Sequence, residues 1–406
     1  MQTSNNTDAV VAVEKILWIT KVKEQLFALL RAQIWGEQLS GEIKAALTPE
    51  CIKGVYTLAK AHDLAHLVGN ALVKNKLVLD DPELKMQLTK AVYAAVYRHE
   101  QSHKETERLS AAMEGARIPF VLLKGAVVRE LYPEPWMRTS CDIDVLVHEE
   151  DLEQAVTLLT TEYGYRNEGR GYHDVSLFSP GGVHVELHYA LLDELDFPKA
   201  TRIAEDVWSY VTPVEQNSVQ MQMSDEMYYF YHILHMASHF YSGGCGIRPF
   251  IDLWILDRKK EYSSKKTQEL LKTGGILRFA RAAQALTKVW LEGQKHTDLT
   301  HRMEIFVLFG GAYGAVENMT AVQQVKKGGK LRSVLSKIFL SYGMLKGLYP
   351  VLHRHKWLMP FCQVARWFRL LSGERWKRSV SELKTNMAGS HNNNTYVAEL
   401  LKELDL

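Results

Sequence analysis

The pattern of apolar residues changes abruptly at Ile118, and this change constrains the fold more than any other feature of the sequence. From about residue 10 to residue 116, apolar side chains recur at intervals of three and four, which is the spacing of amphipathic helices. Residues 118–123 instead form a short, almost wholly apolar run of the kind found in buried strands. The sequence therefore predicts a helical N-terminal region that is followed directly by a sheet.

The middle third of the chain alternates predicted strands with predicted helices. Strands are expected at residues 118–123, 141–147, 174–178 and 183–187, and helices at residues 126–132 and 151–163. Pro133 and Pro135 end the first of these helices, and Pro180-Gly181-Gly182 is typical of a turn between the last two strands. After residue 193 the pattern becomes helical again, most clearly at residues 227–240, 251–258 and 276–291.

These patterns indicate an α+β or α/β fold in which a small mixed sheet is flanked by helical regions. The length of 406 residues fits two or three structural units. We expect an N-terminal helical region at residues 1–116, an α/β core at 117–193, a helical region packing on the core at 194–320, and a basic, aromatic-rich helical region with a flexible segment at 321–406.

Composition argues against several classes of protein. The formal net charge of +2 provides no global attraction for nucleic acid, and nothing in the sequence is specific to DNA binding. Cys51, Cys141, Cys245 and Cys362 lie far apart, which argues against a disulfide framework or a zinc ribbon and favours a cytoplasmic location. The polar N-terminus predicts no secretion signal, and we expect no membrane span, because no run of about 18 apolar residues occurs.

A group of carboxylates is predicted on one face of the sheet. Asp142 and Asp144 are separated by one residue on a predicted strand, so both side chains emerge on the same side. The same alternation in residues 183–188 places Glu186 on one face with His184 and His188. If the two strands are neighbours, Glu186 joins the aspartates. An Asp-x-Asp pair on a solvated strand edge would be purely structural, but the apolar residues around this pair indicate an internal strand, where unpaired carboxylates are rare.

Three clustered carboxylates have a chemical consequence. Like charges about 4 Å apart repel by on the order of 4 kcal/mol at an effective dielectric constant near 20. A divalent cation relieves this repulsion, and oxygen ligands suit Mg²⁺ or Mn²⁺, which complete their coordination with water and substrate phosphates. The cluster therefore favours phosphate transfer. The same repulsion predicts that Asp144→Asn leaves the metal-free protein as stable as before, or slightly more stable.

Basic residues flank this predicted cluster. Lys124-Gly125 lies where the first strand passes into a helix, so that Gly125 could let a phosphate approach the backbone and Lys124 could supply a positive charge. The alternative is a simple turn with an exposed lysine. Arg138, four residues before Asp142, either neutralises a triphosphate or caps a loop.

Short sequence blocks between residues 120 and 188 follow one another in the order of a known family. These blocks are FVLLKG at 120–125, LYP at 131–133, Arg138, DIDVLV at 142–147 and VELH at 185–188. Together they resemble the uncharacterised bacterial nucleotidyltransferase family of the polymerase-β-like superfamily. The resemblance covers residues 118–189 and extends more weakly to His235, His239, Arg248 and Asp252.

The resemblance implies a Mg²⁺- or Mn²⁺-dependent transfer of a nucleoside monophosphate from a nucleoside triphosphate (NTP) to an acceptor, with release of pyrophosphate. It implies that Asp142, Asp144 and Glu186 are the metal-binding and catalytic residues. The residues expected to bind the substrate are Lys124, Gly125, Arg138, His188, His235 and His239. The acceptor stays open among a small molecule, a peptide, a protein side chain and an RNA end.

Two details leave alternatives open. This chain has Lys-Gly where many members of the superfamily have Gly-Ser or Gly-Gly, which motivates the alternative of a non-catalytic, nucleotide-binding scaffold. His235 and His239 lie four apart on a predicted helix and share a face, which would suit zinc, packing on the core or contact with a nucleotide. Arg248 and Asp252 are most simply an ion pair along one helix.

The C-terminal region is basic and rich in aromatic residues. Glu374 is the only acidic residue between positions 321 and 380, where many lysines and arginines alternate with aromatic residues. RNA binding is one interpretation, and amphipathic helices with buried aromatics and solvated cations are the other. Residues 379–395 are expected to form a flexible link to a short C-terminal helix.

Overall fold

The computed structural model of the chain describes residues 2–77, 81–171, 173–192, 197–258, 262, 264–312, 314, 316–327, 332, 338–342, 345, 348–371 and 391–406. The chain is mostly helical, with a seven-stranded mixed sheet in the middle and helices on either side. The fold class predicted from the sequence is therefore confirmed.

The N-terminal region is helical, as predicted. Its helices are α1 (Gln2–Trp35), α2 (Gly41–Ala46), α3 (Pro49–Ala61), α4 (Ala65–Lys74) and α5 (Pro82–Gly115). Two helix starts follow the usual capping chemistry. The Thr48 side chain accepts a hydrogen bond from the Cys51 backbone at the start of α3, and Asp81 accepts from Glu83 and Leu84 at the start of α5.

The sheet is assembled from distant parts of the chain. Its strands are β1 (Phe120–Leu122), β2 (Asp142–Val147), β3 (Arg166–Arg170), β4 (Asp174–Phe178), β5 (His184–His188), β6 (Val211–Pro213) and β7 (Gln220–Met223), and their order across the sheet is β3-β4-β5-β2-β1-β7-β6. The pairs β2–β5 and β1–β7 are parallel, and the others are antiparallel. β2 is therefore an interior strand with β1 and β5 as neighbours.

The remaining helices complete the fold. Three short helices lie between strands of the sheet: α6 (Lys124–Val128), α7 (Leu152–Thr161) and α8 (Pro198–Glu205). The described helices after β7 are α9 (Asp225–Phe240), α10 (Arg248–Asp257), α11 (Lys265–Thr273), α12 (Leu277–Glu292), α13 (Asp298–Gly310), α14 (Val316–Lys326), α15 (Met359–Leu371) and α16 (His391–Glu403). No described helix combines the length and the apolar character that a membrane crossing requires.

Several elements differ from the sequence prediction. The prediction of only helices after residue 193 was wrong, because β6 and β7 lie there, and β3 was not predicted at all. β3 has no apolar residue and therefore no strand pattern. β7 reads Gln-Met-Gln-Met, which alternates as a strand does, but it has only four residues and none that is β-branched or aromatic, so its signal is weak. The helix expected at residues 126–132 is α6 followed by a 3₁₀ turn at Arg129–Leu131. The flexible link expected at residues 379–395 falls outside the described residues up to 390, and its last residues begin α16.

The two faces of the sheet contribute to different cores. Ile143 and Val145 of β2, with Leu187 of β5, pack in a cluster that includes residues of α5 and α7. Val121 and Leu146 point the other way, into the larger core shared with the helical regions. Because side chains alternate along a strand, Asp142 and Asp144 also point toward the helical side.

A buried histidine links three parts of the helical core. The Nδ1 atom of His62, which directly follows α3, accepts a hydrogen bond from the backbone N–H of Ile247 at 3.3 Å. Its Nε2 atom lies 3.3 Å from the carbonyl oxygen of Leu308 and must carry the proton to donate there. Burial lowers the pKa of His62 to about 4, although the bond to Leu308 opposes this shift. The neutral ring is therefore the form that the fold requires.

Candidate active site

The three predicted carboxylates lie together on one face of the sheet. The parallel register of β2 and β5 places Asp142 beside His184 and Asp144 beside Glu186. One potential ligand atom from each of Asp142, His184 and Glu186 lies within 4.8 Å of the others, and the same holds for Asp144, Glu186 and His188. The shared face inferred from strand alternation is thus present, and Glu186 is common to both groups.

His188 bridges two of these carboxylates. Its Nε2 atom lies 3.1 Å from Asp144 Oδ1 and 3.4 Å from Glu186 Oε2. Burial lowers the pKa of His188, but the hydrogen bonds to the two carboxylates outweigh burial and raise it to about 9. Its Nδ1 atom is buried and has no hydrogen-bond partner among the described residues. His188 is therefore a cation that partly neutralises the cluster in the free protein.

The two aspartates have opposite electrostatic environments. Burial raises the pKa of Asp142, and the charges of Asp144 and Glu186 raise it further. Burial acts in the same direction on Asp144, but Lys124 and His188 outweigh it and hold the pKa of that carboxyl well below its usual range. Neighbouring cations thus outweigh burial at Asp144, whereas at Asp142 Lys124 and His184 only partly offset burial and the acidic neighbours.

Lys124 lies close enough to the carboxylates for their charges to act on it. Its Nζ atom lies 5.3 Å from the centre of the Tyr231 ring, and the Tyr228 hydroxyl donates a hydrogen bond to its carbonyl oxygen at 3.2 Å. Burial lowers the pKa of Lys124, while the charges of Asp144 and Asp142 oppose this shift. The lysine is partly buried among aromatic rings and carboxylates, so the alternative of an exposed lysine on a simple turn is wrong.

Gly125 allows close packing behind this turn. A Cβ atom at Gly125 would lie 3.3 Å from Arg138 Nη1 and 3.4 Å from the Ser140 side chain, which is tighter than most such contacts. Arg129 donates from Nε to the Gly125 carbonyl at 2.8 Å and from Nη2 to the Ser140 hydroxyl at 2.6 Å. The position of Lys124 is therefore set by a buried network.

Arg138 belongs to a buried ion pair. Its Nε and Nη2 atoms donate to the carboxylate of Asp252 at 3.0–3.2 Å, and the Tyr132 hydroxyl donates to the same carboxylate at 2.6 Å. Burial favours the neutral form of each partner, but the opposite charges outweigh it and keep both ionised. Arg138 therefore has a buried structural partner, and its predicted role in binding a triphosphate stays a prediction.

The Arg248–Asp252 pair expected along one helix is wrong. Asp252 pairs with Arg138, and Arg248 Nη1 instead lies 3.2 Å from Asp63 Oδ2 and donates to the Thr139 carbonyl at 2.8 Å. Spacing of four residues permits a helical pair, but both side chains find partners in other parts of the fold. These contacts join α10 to the segment just before β2.

His235 and His239 share a face of α9 with Tyr231. Their Nε2 atoms are 2.9 Å apart, so one ring donates its proton to the other. Burial and then the charge of Lys124 lower the pKa of both histidines, that of His239 to about 4. Among the described residues, no third histidine, cysteine or carboxylate completes a metal site with this pair. The described residues therefore do not support a zinc site at this pair, and contact with a nucleotide stays a prediction.

Sequence reasoning missed several residues that shape the site. Tyr231 contacts Lys124, and Arg129 supports Gly125. His184, which strand alternation had placed on the face of Glu186 without a role, accompanies Asp142 and Glu186. Tyr231 lies four residues before His235 on the same helix, so the spacing that drew attention to the histidines could have identified it. Arg129 has no comparable local signal, because its partners depend on the tertiary fold.

Comparisons with known proteins place the chain in a family. No curated protein and no solved structure matches it significantly. Residues 49–292, more than half of the chain, match the profile of a family described as uncharacterised nucleotidyltransferase. This match includes the whole sheet, the carboxylate cluster and helix α9 with its histidines. The chain therefore belongs to the uncharacterised nucleotidyltransferase family.

Proposed function

We propose that this protein transfers a nucleoside monophosphate from an NTP to an acceptor and releases pyrophosphate. The observation that carries the proposal is the register of β2 and β5, which brings Asp144 beside Glu186 and both beside Asp142. Family membership supports the general activity, and the site geometry supports the assignment of residues.

The donor set fits a hard divalent cation. Asp142, Asp144 and Glu186 offer carboxylate oxygens on one partly exposed face, and a cation would relieve the repulsion that, with burial, raises the pKa of Asp142. These three residues would hold Mg²⁺ or Mn²⁺. A cation bound there would supply electrostatic stabilisation of the phosphoryl charge during transfer.

The side chains around the cluster have distinct proposed roles. Lys124 binds the phosphates that leave as pyrophosphate, and the neutral His235–His239 pair donates a hydrogen bond to the same group. His188 orients Asp144 and Glu186 through its hydrogen bonds to both. Arg138, which is buried and paired with Asp252, supports the turn instead of binding the substrate.

The reaction follows from this placement. An acceptor oxygen forms a bond to the α-phosphorus, and the bond from the α-phosphorus to the oxygen bridging to the β-phosphate breaks, so that pyrophosphate keeps the bonding electrons. The acceptor proton passes to the Glu186 carboxylate, whose side chain is 27% exposed and can be reached from solvent. The acceptor class stays open among small molecules, peptides, proteins and RNA ends.

The test is pyrophosphate release from each of the four common NTPs with Mg²⁺ or Mn²⁺ and a panel of acceptors. We expect Asp142→Asn and Asp144→Asn to lower the rate by on the order of 10²–10³-fold, because an amide cannot balance cationic charge. Glu150→Gln, which removes an exposed carboxylate just after β2, is the matched control and should keep full activity. Equal activity in all four proteins would refute the assignment.

A non-catalytic, nucleotide-binding scaffold is the second candidate function. The observation that favours it is the position of His188, whose positive charge already satisfies part of the cluster. Isothermal titration with NTP and Mg²⁺ distinguishes the two candidates. Binding that is lost in Lys124→Met, without pyrophosphate release for any acceptor, would favour the scaffold.

A further inference from the structure

Exposed apolar side chains are concentrated in the C-terminal part of the chain. Of the thirteen large apolar residues that are exposed in the described part, eight lie between residues 338 and 368. Four of them form a line with spacing of four, three and four: Trp357, Phe361, Val364 and Phe368, which are 69%, 65%, 43% and 70% exposed. We call these four residues the aromatic stripe. Its spacing follows one face of α15 and the turn before it.

The opposite face of α15 makes polar contacts within the chain. The side chains of Gln363, Arg366 and Trp367 all donate hydrogen bonds to the carbonyl oxygen of Ile338, at 3.3, 3.1 and 2.8 Å. Cys362 on the same side packs in a small cluster with Leu345 and Leu352. The inward side therefore combines these polar contacts with a small apolar cluster, while Phe361, Val364 and Phe368 face outward, where a helix that faces water would carry polar residues.

The charged residues in the sequence around the stripe are all basic. No aspartate or glutamate occurs between residues 321 and 373, whereas lysines and arginines are frequent there. Arg354 and Lys356 are exposed immediately before the stripe. An apolar stripe next to the exposed cations Arg354 and Lys356 complements a membrane surface, which has an apolar interior and can carry anionic headgroups.

We propose that α15 docks on a membrane surface that contains anionic lipids. The aromatic stripe enters the boundary between headgroups and acyl chains, and Arg354 and Lys356 lie against the lipid phosphates. The helix lies in the plane of the interface without crossing it. The proposal is independent of the nucleotidyltransferase activity, because no residue of the carboxylate cluster takes part.

The composition of the stripe favours lipid over RNA. RNA binding by stacking requires aromatic faces interleaved with cations that follow a phosphate backbone. Here the four exposed positions include the aliphatic Val364, which offers no ring for stacking, and Arg366 points inward, where it donates to the Ile338 carbonyl. The earlier alternative of aromatics buried in a core is wrong for Trp357, Phe361 and Phe368.

Vesicle flotation with the full chain tests the proposal. The probes are phosphatidylcholine vesicles with and without about one-third phosphatidylglycerol, at low and high salt. We expect flotation with the anionic vesicles, weakened by salt. Phe361→Ser/Phe368→Ser should reduce the partition coefficient about tenfold or more, because burial of even one exposed phenylalanine is worth roughly that factor. Tyr93→Ser/Tyr97→Ser, two exposed aromatics on α5, is the matched control and should bind normally.

Each other outcome would overturn the proposal. If the wild-type protein floats with neither kind of vesicle, it has no membrane-binding surface. If the phenylalanine variant floats as well as wild type, charge alone attracts the chain to the vesicles. Tighter, stripe-dependent binding to a single-stranded RNA oligonucleotide would assign the surface to RNA. A concentration-dependent dimer that is lost in the same variant would assign it to a second copy of the chain. Both serine variants remove exposed side chains, so equal melting temperatures should verify that they fold.

Discussion

Replacing each aspartate of the cluster by asparagine should change stability in opposite directions. Asp144 is compensated by Lys124 and His188, so removing its charge takes from each of these cations one of its anionic partners. Asp142 is repelled by Asp144 and Glu186, so removing its charge relieves repulsion. We expect Asp144→Asn to destabilise the metal-free protein and Asp142→Asn to leave it unchanged or slightly more stable.

The stability lost in Asp144→Asn can be worked out from the contact of Asp144 with His188. At 3.1 Å, the attraction between the ring and the Asp144 carboxylate is about 5 kcal/mol at an effective dielectric constant near 20. Desolvation offsets much of this, and hydrogen bonds to charged groups contribute about 1.5–3 kcal/mol net. For a chain of 406 residues the entropy of unfolding is about 0.85 kcal/mol/K, so the melting temperature of Asp144→Asn should fall by about 2–4 °C.

The assay is differential scanning calorimetry at pH 7 in chelator, with wild type, both asparagine variants and the Glu150→Gln control. Addition of Mg²⁺ and NTP should raise the melting temperature of wild type and have less effect on both asparagine variants, because ligand that binds the native state stabilises it. A higher melting temperature for Asp144→Asn than for Asp142→Asn in chelator would refute the assignment of charges.

Three further changes test other parts of the structure. Asp252→Asn leaves Arg138 buried without a counter-charge and should cost about 3–5 kcal/mol, or about 4–6 °C in melting temperature; an unchanged value would contradict the pairing. Burial lowers the pKa of His62 to about 4 on folding, so the neutral ring stabilises the folded protein fully above pH 6.5. About 3 kcal/mol of the free energy of unfolding is lost as the pH falls from 6.5 to 4. Urea titrations across that range should show a shallower pH dependence for His62→Gln than for wild type, and equal slopes would reject this role. Lys124→Met should raise the dissociation constant for NTP with Mg²⁺ about tenfold, while Lys104→Met, on the exposed surface of α5, should not change it.

Local periodicity predicted the carboxylate face, but not its charge balance. Strand alternation depends on sequence spacing alone, so Asp142, Asp144 and Glu186 could be placed on their faces before the strands were paired. The expectation that Asp144→Asn would not destabilise the protein treated the three carboxylates as isolated from cations. The contact of His188 with Asp144 depends on the register between strands that start more than forty residues apart, which spacing does not encode.

The same limit explains the errors outside the cluster. Arg248 and Asp252 satisfy the rule for a helical ion pair, yet Asp252 bonds to Arg138, which is 114 positions away in the sequence. Helix α9 was predicted almost to its ends because a long apolar periodicity defines it. β7 has only four residues and is held by β1, a hundred residues earlier, so its existence depends on a partner that the local sequence does not reveal.

β7 pairs with β1 but is synthesised a hundred residues later, and this order affects the nascent chain. β1 is wholly apolar and has β2 on one side, but its other neighbour follows only when residues 220–223 have left the ribosome. Until then one edge of β1 in the nascent chain has unpaired backbone N–H and C=O groups, which favours aggregation. A fragment that ends at residue 193 keeps that edge permanently, and it also lacks Asp252 as counter-charge for Arg138. A fragment designed to contain the carboxylate cluster should therefore extend at least through α10. Shorter fragments should aggregate.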